Sequence, residues 1–463
     1  MTGTEKTAPR HIAVIDVGKT NAKLALVEAC SLQEIAVVTR PNRVLPGPPW
    51  PHFDLDGHWA FFLEHLTRFQ SDHGIDAISV ATHGASAVLL DADRQLAAPM
   101  LDYEHDGPEA CAAEYDRLRP DFARTGSPRL PLGLNLGAQL HWQFTTWPDL
   151  HERVAHIVTY PQYWGLRLTG NLATDVTSLG CHTDLWSPWE GGFSDLPHRL
   201  GIAEKIVEPL RPGAVLGTLR ADIAATTGIA ATTPVMVGIH DSNASLLPYL
   251  GSHRAFSVVS TGTWVIVMAI GAGRQPLDPD RDTLINVNAE NAPVPSARFM
   301  GGREYELLRE GCSAAPSPQA CDDILARGVM ILPSAVPGTG PFPDHALEWI
   351  GEAASPSERM AAIGFYLAMM TESCLALIGA RGPAIVEGPF AANPAYLEML
   401  AALRPDGVRV AQSATGTSAG AALLALPATA PPEARPHPSP AQRDALRAYF
   451  ESWRGAISAR AGG

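Results

Sequence analysis

The chain has 463 residues, a net charge of −14 and 46% apolar residues at near-zero mean hydropathy. That length exceeds one ordinary hydrophobic core and predicts two or three domains. The acidic balance excludes a general nucleic-acid binder, which needs a basic face, and disfavours an anionic membrane surface, while leaving a locally bound nucleotide open.

Residues 1–10 are polar and mixed in charge, without the apolar core of a signal peptide. Residues 11–26 read as two β-favouring runs around a turn holding Gly18, Lys19, Thr20 and Asn21. The first run is apolar on both faces, so the carboxylate of Asp16 at its end is costly unless something binds it. The turn's N–H groups, hydroxyl, amide and lysines are the donors a polyphosphate needs, with hydrated Mg²⁺ as the bridge to Asp16. A plain hairpin with an incidental Asp is the competing reading.

Pro41 to Pro51 reads as a surface loop, and 59–69 carries helical spacing through Phe62, Leu66 and Phe69. Residues 77–81 form a strand ending in Thr82-His83-Gly84, and 87–90 a shorter one. This alternation predicts an α/β fold, whose ligands gather at strand C-terminal ends, where Asp16 and His83 fall. The loop 101–107 holds three carboxylates, His105 and Tyr103, which suits either a solvated turn or a sugar site. Helices are expected at 134–147 and 154–168, and 174–178 reads as a capping segment.

A strand at 235–239 runs into His240-Asp241, with a helix opening at Ser242. Asp241 is thereby either a helix cap or an ionised general base for a substrate hydroxyl. Residues 255–269 repeat the opening design around Thr261-Gly262-Thr263, half a chain later, which suggests a structural duplication. Beyond it come a loop-rich stretch at 271–295, a helix starting at Gly301, and a Gly/Pro-rich loop at 333–343. A long helix follows at 358–380; its apolar run reads as buried core, because Glu372 lies inside it. A strand at 384–387 enters the Gly388-Pro389 turn, then come a helix at 394–403 and a strand at 408–411. The helix after Thr415 opens with small residues that allow close approach of a backbone or an adenine ring. A Pro-rich linker at 427–440 precedes an amphipathic helix at 441–457 with Leu446, Phe450 and Trp453 on one stripe. The six cysteines (Cys30, Cys111, Cys181, Cys312, Cys321, Cys374) show no metal-like spacing and read as reduced thiols of a cytoplasmic protein. The Cys181-His182 pair reads as structural.

Taken together and in order, Asp16-Val-Gly-Lys-Thr20, Gly238-Ile-His-Asp241, Ser260-Thr-Gly-Thr-Trp264 and Glu387-Gly-Pro-Phe390 with 416–424 resemble the FGGY carbohydrate kinase family of the actin–hexokinase superfamily. The likeness spans roughly 11–426, nearest a bacterial subgroup around the rhamnulose and fuculose kinases. It implies an α/β fold of two ribonuclease-H-like, actin-type ATPase domains facing each other across a deep cleft. Their expected bounds are 11–247 and 248–426, with 427–463 as linker and C-terminal helix. It implies Asp241 as the catalytic base and a sugar contact, with Asp16 and Asp241 holding Mg²⁺ through water. ATP would meet Gly18, Thr20, Asn21 and Lys23, then Thr261, Gly262 and Thr263, with Gly388, Asn393 and Gly416 near adenosine. His83, Gly84, Tyr103 and Glu104 would line the sugar pocket. Pro389 stands where the family usually has a second Gly, and the usual Trp of the sugar loop is not evident, its role falling to Tyr103.

The implied activity is ATP-dependent phosphorylation of a small sugar, a 6-deoxy-ketohexose such as L-rhamnulose or L-fuculose first among ketoses. An ATP- and sugar-binding regulator and a polyphosphate hydrolase on the same scaffold are the alternatives. No nucleic-acid or membrane partner is expected. The C-terminal helix would either cap the second domain or make a homodimer contact.

Overall fold

In the computed structural model, residues 9–250, 255–411, 416–427 and 434–460 are described. The strand His11–Val17 has Ile12, Val14, Ala13 and Ile15 fully buried, two on each face, as its unbroken apolar run requires. It pairs antiparallel with Asn21–Glu28, which pairs onward with Glu34–Pro41, an edge strand that the sequence reading missed. On its other side it pairs parallel with Ala77–Thr82, followed by Pro234–Met236 and Ile239–His240.

One face of this seven-stranded sheet is covered by Leu55–Asp72, whose Phe62, Leu66 and Phe69 are buried against Ala13 and Ile15. Asp54 caps that helix by accepting from the Gly57 N–H at 2.9 Å. The opposite face, with Ile12 and Val14, packs Ala244 and Ala421 from two further helices, Asp241–Leu246 and Thr417–Leu423.

The chain divides into two units: 1–250 with 285–293 and 415–431, and 251–284 with 294–414 and 432–463. The Thr417–Leu423 helix therefore groups with the first unit although it follows most of the second in sequence. In the second unit, Phe256–Thr261 pairs antiparallel with Val265–Ile270 and parallel with Ala384–Glu387. Each unit thus centres on a hairpin flanked by a parallel strand, the same plan twice.

Three expectations change. Residues 154–168 are not one helix: His156–Thr159 is a strand paired with Ala87–Leu90, and the helix is Tyr160–Thr169. The β-branched run Ile157-Val158-Thr159 explains the switch. The stretch 271–295 contains the strand Thr283–Val287 and the start of Pro293–Phe299. The linker contributes Ala434–Pro436, paired with Val408–Ala411.

Pro356–Leu377 is a core helix, buried throughout Met360–Thr371, and Glu372 within it meets Arg404 at 3.5 Å. The C-terminal helix Arg443–Arg460 packs into the second unit through Leu446, Tyr449, Trp453 and Ile457, with Trp453 Nε1 donating to the Ile331 carbonyl at 2.7 Å. None of the six cysteines forms a disulfide among the described residues.

Candidate active site

In the first unit, the strand Ala77–Thr82 sets the geometry, because Asp16 lies opposite Ala81 on one side and His240 opposite Thr82 on the other. Asp16 and Asp241 therefore flank one strand end. Burial pushes the Asp16 carboxyl above its ordinary range; Lys23 pulls it back, and the charge of Asp241 adds to the rise. Burial likewise raises Asp241, opposed by His83 and by the Ser242 N–H that donates to its Oδ1 at 2.6 Å. The Asp241 side chain still keeps 29% exposure, so the desolvated carboxylate has an open side. Asp241 is the first residue of its helix, with His240 in the capping position.

The Gly18–Asn21 turn closes with Gly18 N–H donating to the Asn21 carbonyl at 2.9 Å. Asn42 clamps it from below: its side-chain amide donates to the Gly18 carbonyl and its N–H to the Thr20 carbonyl, both at 2.9 Å. A Cβ on Gly18 would meet only the Asn21 carbonyl oxygen, at 3.6 Å, so the turn is open on its outer side. Asn21 donates to the Thr20 hydroxyl at 3.2 Å. The ammonium of Lys23 is engaged by Asp16 at 3.1 Å and Glu34 at 3.2 Å. Burial alone would lower its pKa, but these two carboxylates carry it upward.

His83 follows the central strand, with its N–H held by the Val17 carbonyl at 2.8 Å. Its imidazole is boxed by Phe53, Tyr103 and Tyr160, with ring centroids 5.1–5.2 Å away. Burial drops its pKa to about 4, so the ring is neutral at physiological pH. Nδ1 lies 3.0 Å from the Gly84 carbonyl, which requires the N–H there and leaves Nε2 as a bare lone pair. That Nε2 is buried without a protein partner among the described residues. Gly84 supplies room: a Cβ on it would stand 2.8 Å from His240 Nε2 and 3.1 Å from Cys181 Sγ. Tyr103 and Glu104 surround the Lys19 ammonium, at 4.6 Å to the ring and 3.1 Å to Oε2.

The second unit holds its own constellation. Thr261 Oγ1 donates to the Glu387 carbonyl at 2.6 Å and accepts from Phe390 N–H at 3.1 Å, joining the hairpin to the Gly388 turn. Gly388 has φ +83°, and a Cβ there would run into the Thr261 carbonyl oxygen. Asn393 caps the Pro394–Leu403 helix by accepting from Tyr396 N–H at 3.1 Å.

A cavity of about 690 Å³ is lined by Gly262, Thr263, Arg303, Tyr305, Phe390 and Asn393 among others. The Tyr305 and Phe390 rings stand 5.8 Å apart, offering apolar faces beside polar backbone, the chemistry of a purine pocket. Arg303, Tyr305 and Phe390 as lining residues were missed, although the Gly301–Arg309 helix and the Gly388 turn were both singled out by sequence. Gly416 does not join this cavity; it caps the Thr417–Leu423 helix in the first unit. Thr415 lies outside the described residues.

Residues 11–248 match the FGGY family of carbohydrate kinases, N-terminal domain, and residues 253–435 match the carbohydrate kinase FGGY, C-terminal domain. L-fuculokinase of Salmonella typhi is 26% identical over 265 residues, covering 56% of this chain and 56% of that protein. Rhamnulokinase of Klebsiella pneumoniae is 26% identical over 309 residues, covering 63% of this chain and 59% of that protein. The matches thus span less than two thirds of those relatives' length. A carbohydrate kinase structure from Novosphingobium aromaticivorans is 36% identical, with a TM-score of 0.89, covering 98% of this chain and 99% of that one.

Proposed function

The chain belongs to the FGGY family of carbohydrate kinases, and from that premise we propose that it transfers the γ-phosphate of ATP to a hydroxyl of an uncharged ketose. L-fuculose and L-rhamnulose are the first candidates, following the fuculokinase and rhamnulokinase likeness. The observation that carries this reading is the pair of acceptors in the first unit, the Asp241 carboxylate and the bare Nε2 of His83.

A sugar hydroxyl donates to His83 Nε2, which orients the ring. The hydroxyl to be phosphorylated faces Asp241. Ser242 occupies Oδ1, so Oδ2 takes the proton as the oxygen attacks phosphorus. Desolvation of Asp241 strengthens it as a base while its open side admits the hydroxyl. The outer side of the Gly18–Asn21 turn presents backbone donors to phosphate oxygens. In the second unit, Tyr305 and Phe390 take the adenine.

Two desolvated carboxylates, with the charge of Asp241 raising the proton affinity of Asp16, suit a divalent cation, so Asp16 and Asp241 would hold Mg²⁺ through water. When bound, Mg²⁺ neutralises charge on the polyphosphate. Lys23 offsets part of the Asp16 charge and keeps that carboxylate placed. Function in the cytoplasm belongs to the same proposal.

A coupled ADP-release assay over ketoses, aldoses and polyols tests the reading. Sugar-dependent ADP formation with L-fuculose or L-rhamnulose is expected; the absence of stimulation by any sugar would sink it.

A further inference from the structure

Family likeness leaves Lys19 without a task, yet its side chain is held by two carboxylates and two aromatic rings. Its backbone forms the phosphate-facing turn, between Gly18 and Thr20. Its side chain reaches the other way, into the loop 101–107. The ammonium donates to Asp102 Oδ1 and lies 3.1 Å from Glu104 Oε2. It also stands over the rings of Tyr103, at 4.6 Å, and Phe53, at 5.1 Å. The Tyr103 ring is the one packed edge-on against His83, 5.1 Å away.

Asp102 is a firm anchor. Its side chain is 10% exposed, its N–H is held by the Pro51 carbonyl at 2.9 Å, and its Oδ1 also accepts from Glu104 N–H at 3.2 Å. Glu104 is the adaptable member, with 57% side-chain exposure. The ammonium has three N–H donors and no acceptor, whereas the Glu104 carboxylate only accepts. Side by side, they complement two adjacent hydroxyls, one accepting from Lys19 and the other donating to Glu104. A substrate carboxylate would instead meet the charges of Asp102, Glu104 and Asp241, against a single lysine.

We propose that Lys19 is a substrate-positioning residue, which locks the loop 101–107 to the phosphate turn and, with Glu104, takes vicinal hydroxyls of an uncharged sugar. This rests on the kinase reading, but the lock itself is a property of the free protein. Through Lys19, displacement of the sugar loop is displacement of the turn that faces phosphate. Sugar binding and phosphate placement therefore share one side chain.

Two measurements separate the lock from the kinase reading. The first is amide hydrogen exchange of the full chain without ligand, comparing wild type with Lys19→Met and Asp102→Asn. The lock predicts paired loss of protection at Gly18 and Glu104 in both variants; unchanged protection at Glu104 in both would overturn it. The second is ADP formation from ATP with L-fuculose, L-rhamnulose, D-xylulose and D-gluconate. Lys19→Met should raise the KM of the active ketose about tenfold or more and reduce its stimulation over sugar-free ATP hydrolysis. Lys19→Arg, which keeps the charge but not the compact three-donor head, should recover part of that loss and lie between Lys19→Met and wild type.

A merely structural lysine would lower thermal stability in Lys19→Met while leaving KM and the stimulation ratio unchanged, and that result would refute the positioning role. D-gluconate as the best substrate would refute the preference for an uncharged sugar. Stimulation by no sugar at all would remove the kinase reading, leaving hydrogen exchange to decide the lock.

Discussion

Gly420 packs its Cα directly on the carbonyl oxygen of Ala244, so closely that no Cβ fits between them. Ala244 belongs to the short helix that begins at Asp241 and Gly420 to the helix that groups with it from far along the chain. The small residues after Gly416 therefore serve a backbone contact, one of the two uses their size allowed. A methyl here must drive the two helices apart. Gly420→Ala should destabilise the first unit by about 1–3 kcal/mol, the usual cost of overpacking. It should also lower kcat by moving Asp241. Thermal unfolding together with kcat checks this, and an unchanged melting profile would count against the contact.

Asp241→Asn should retain the fold and reduce kcat roughly 10²–10⁴-fold, the range for loss of a general base. Near-full turnover would mean that another group takes the proton. The wild-type pH profile gives a second reading of the same carboxylate. Its pKa lies above the ordinary 3.8 because burial disfavours the charge. A base must be deprotonated, so activity should fall as pH drops through that raised value. The acid limb should sit above the ordinary aspartate range.

Chelation of Mg²⁺ should stop ADP formation, and added Mg²⁺ should restore it. Asp16→Asn should raise the Mg²⁺ concentration needed for half-maximal rate. Its KM for the sugar should change much less, since the proposal gives Asp16 the metal and His83 the sugar. Equal activity in chelator would remove the metal from the proposal.

Glu304 lies fully buried in the second unit, where burial pushes its carboxyl from 4.5 to about 7, with Tyr366 and the Val336 backbone opposing. The folded state thus binds this proton more tightly than the unfolded chain. Stability contributed by the protonated form is complete below the unfolded value and is lost as pH rises toward the folded one. The loss amounts to about 3 kcal/mol by pH 8. Glu304→Gln should remove this slope and be the more stable protein at pH 8. Urea unfolding at pH 5 and pH 8 measures both. Parallel pH dependence in the two proteins would contradict it.

Local pattern made much of this legible. An unbroken apolar run ending in a carboxylate marked the strand of Asp16, because a buried strand and its polar end are written in neighbouring residues; the strand expected at 235–239 is instead Pro234–Met236 and Ile239–His240, broken at Gly238 with its φ of +95°. The twin turns at Gly18 and Gly262 were visible for the same reason, and so was the buried helix around Glu372. What the tertiary structure decided depends on residues far apart in the chain. The family resemblance points Lys23 toward phosphate, yet its ammonium is engaged by Asp16 and Glu34, across a hairpin register and an edge strand that sequence did not disclose. Lys19 had no task until the turn and the loop at 101–107 were brought together. Tyr305 and Phe390 form one cavity only because the Gly301–Arg309 helix and the Gly388 turn pack side by side. Strand periodicity is a local property of covalent geometry, whereas the partner of a charge or a ring is chosen by packing and desolvation across the whole fold.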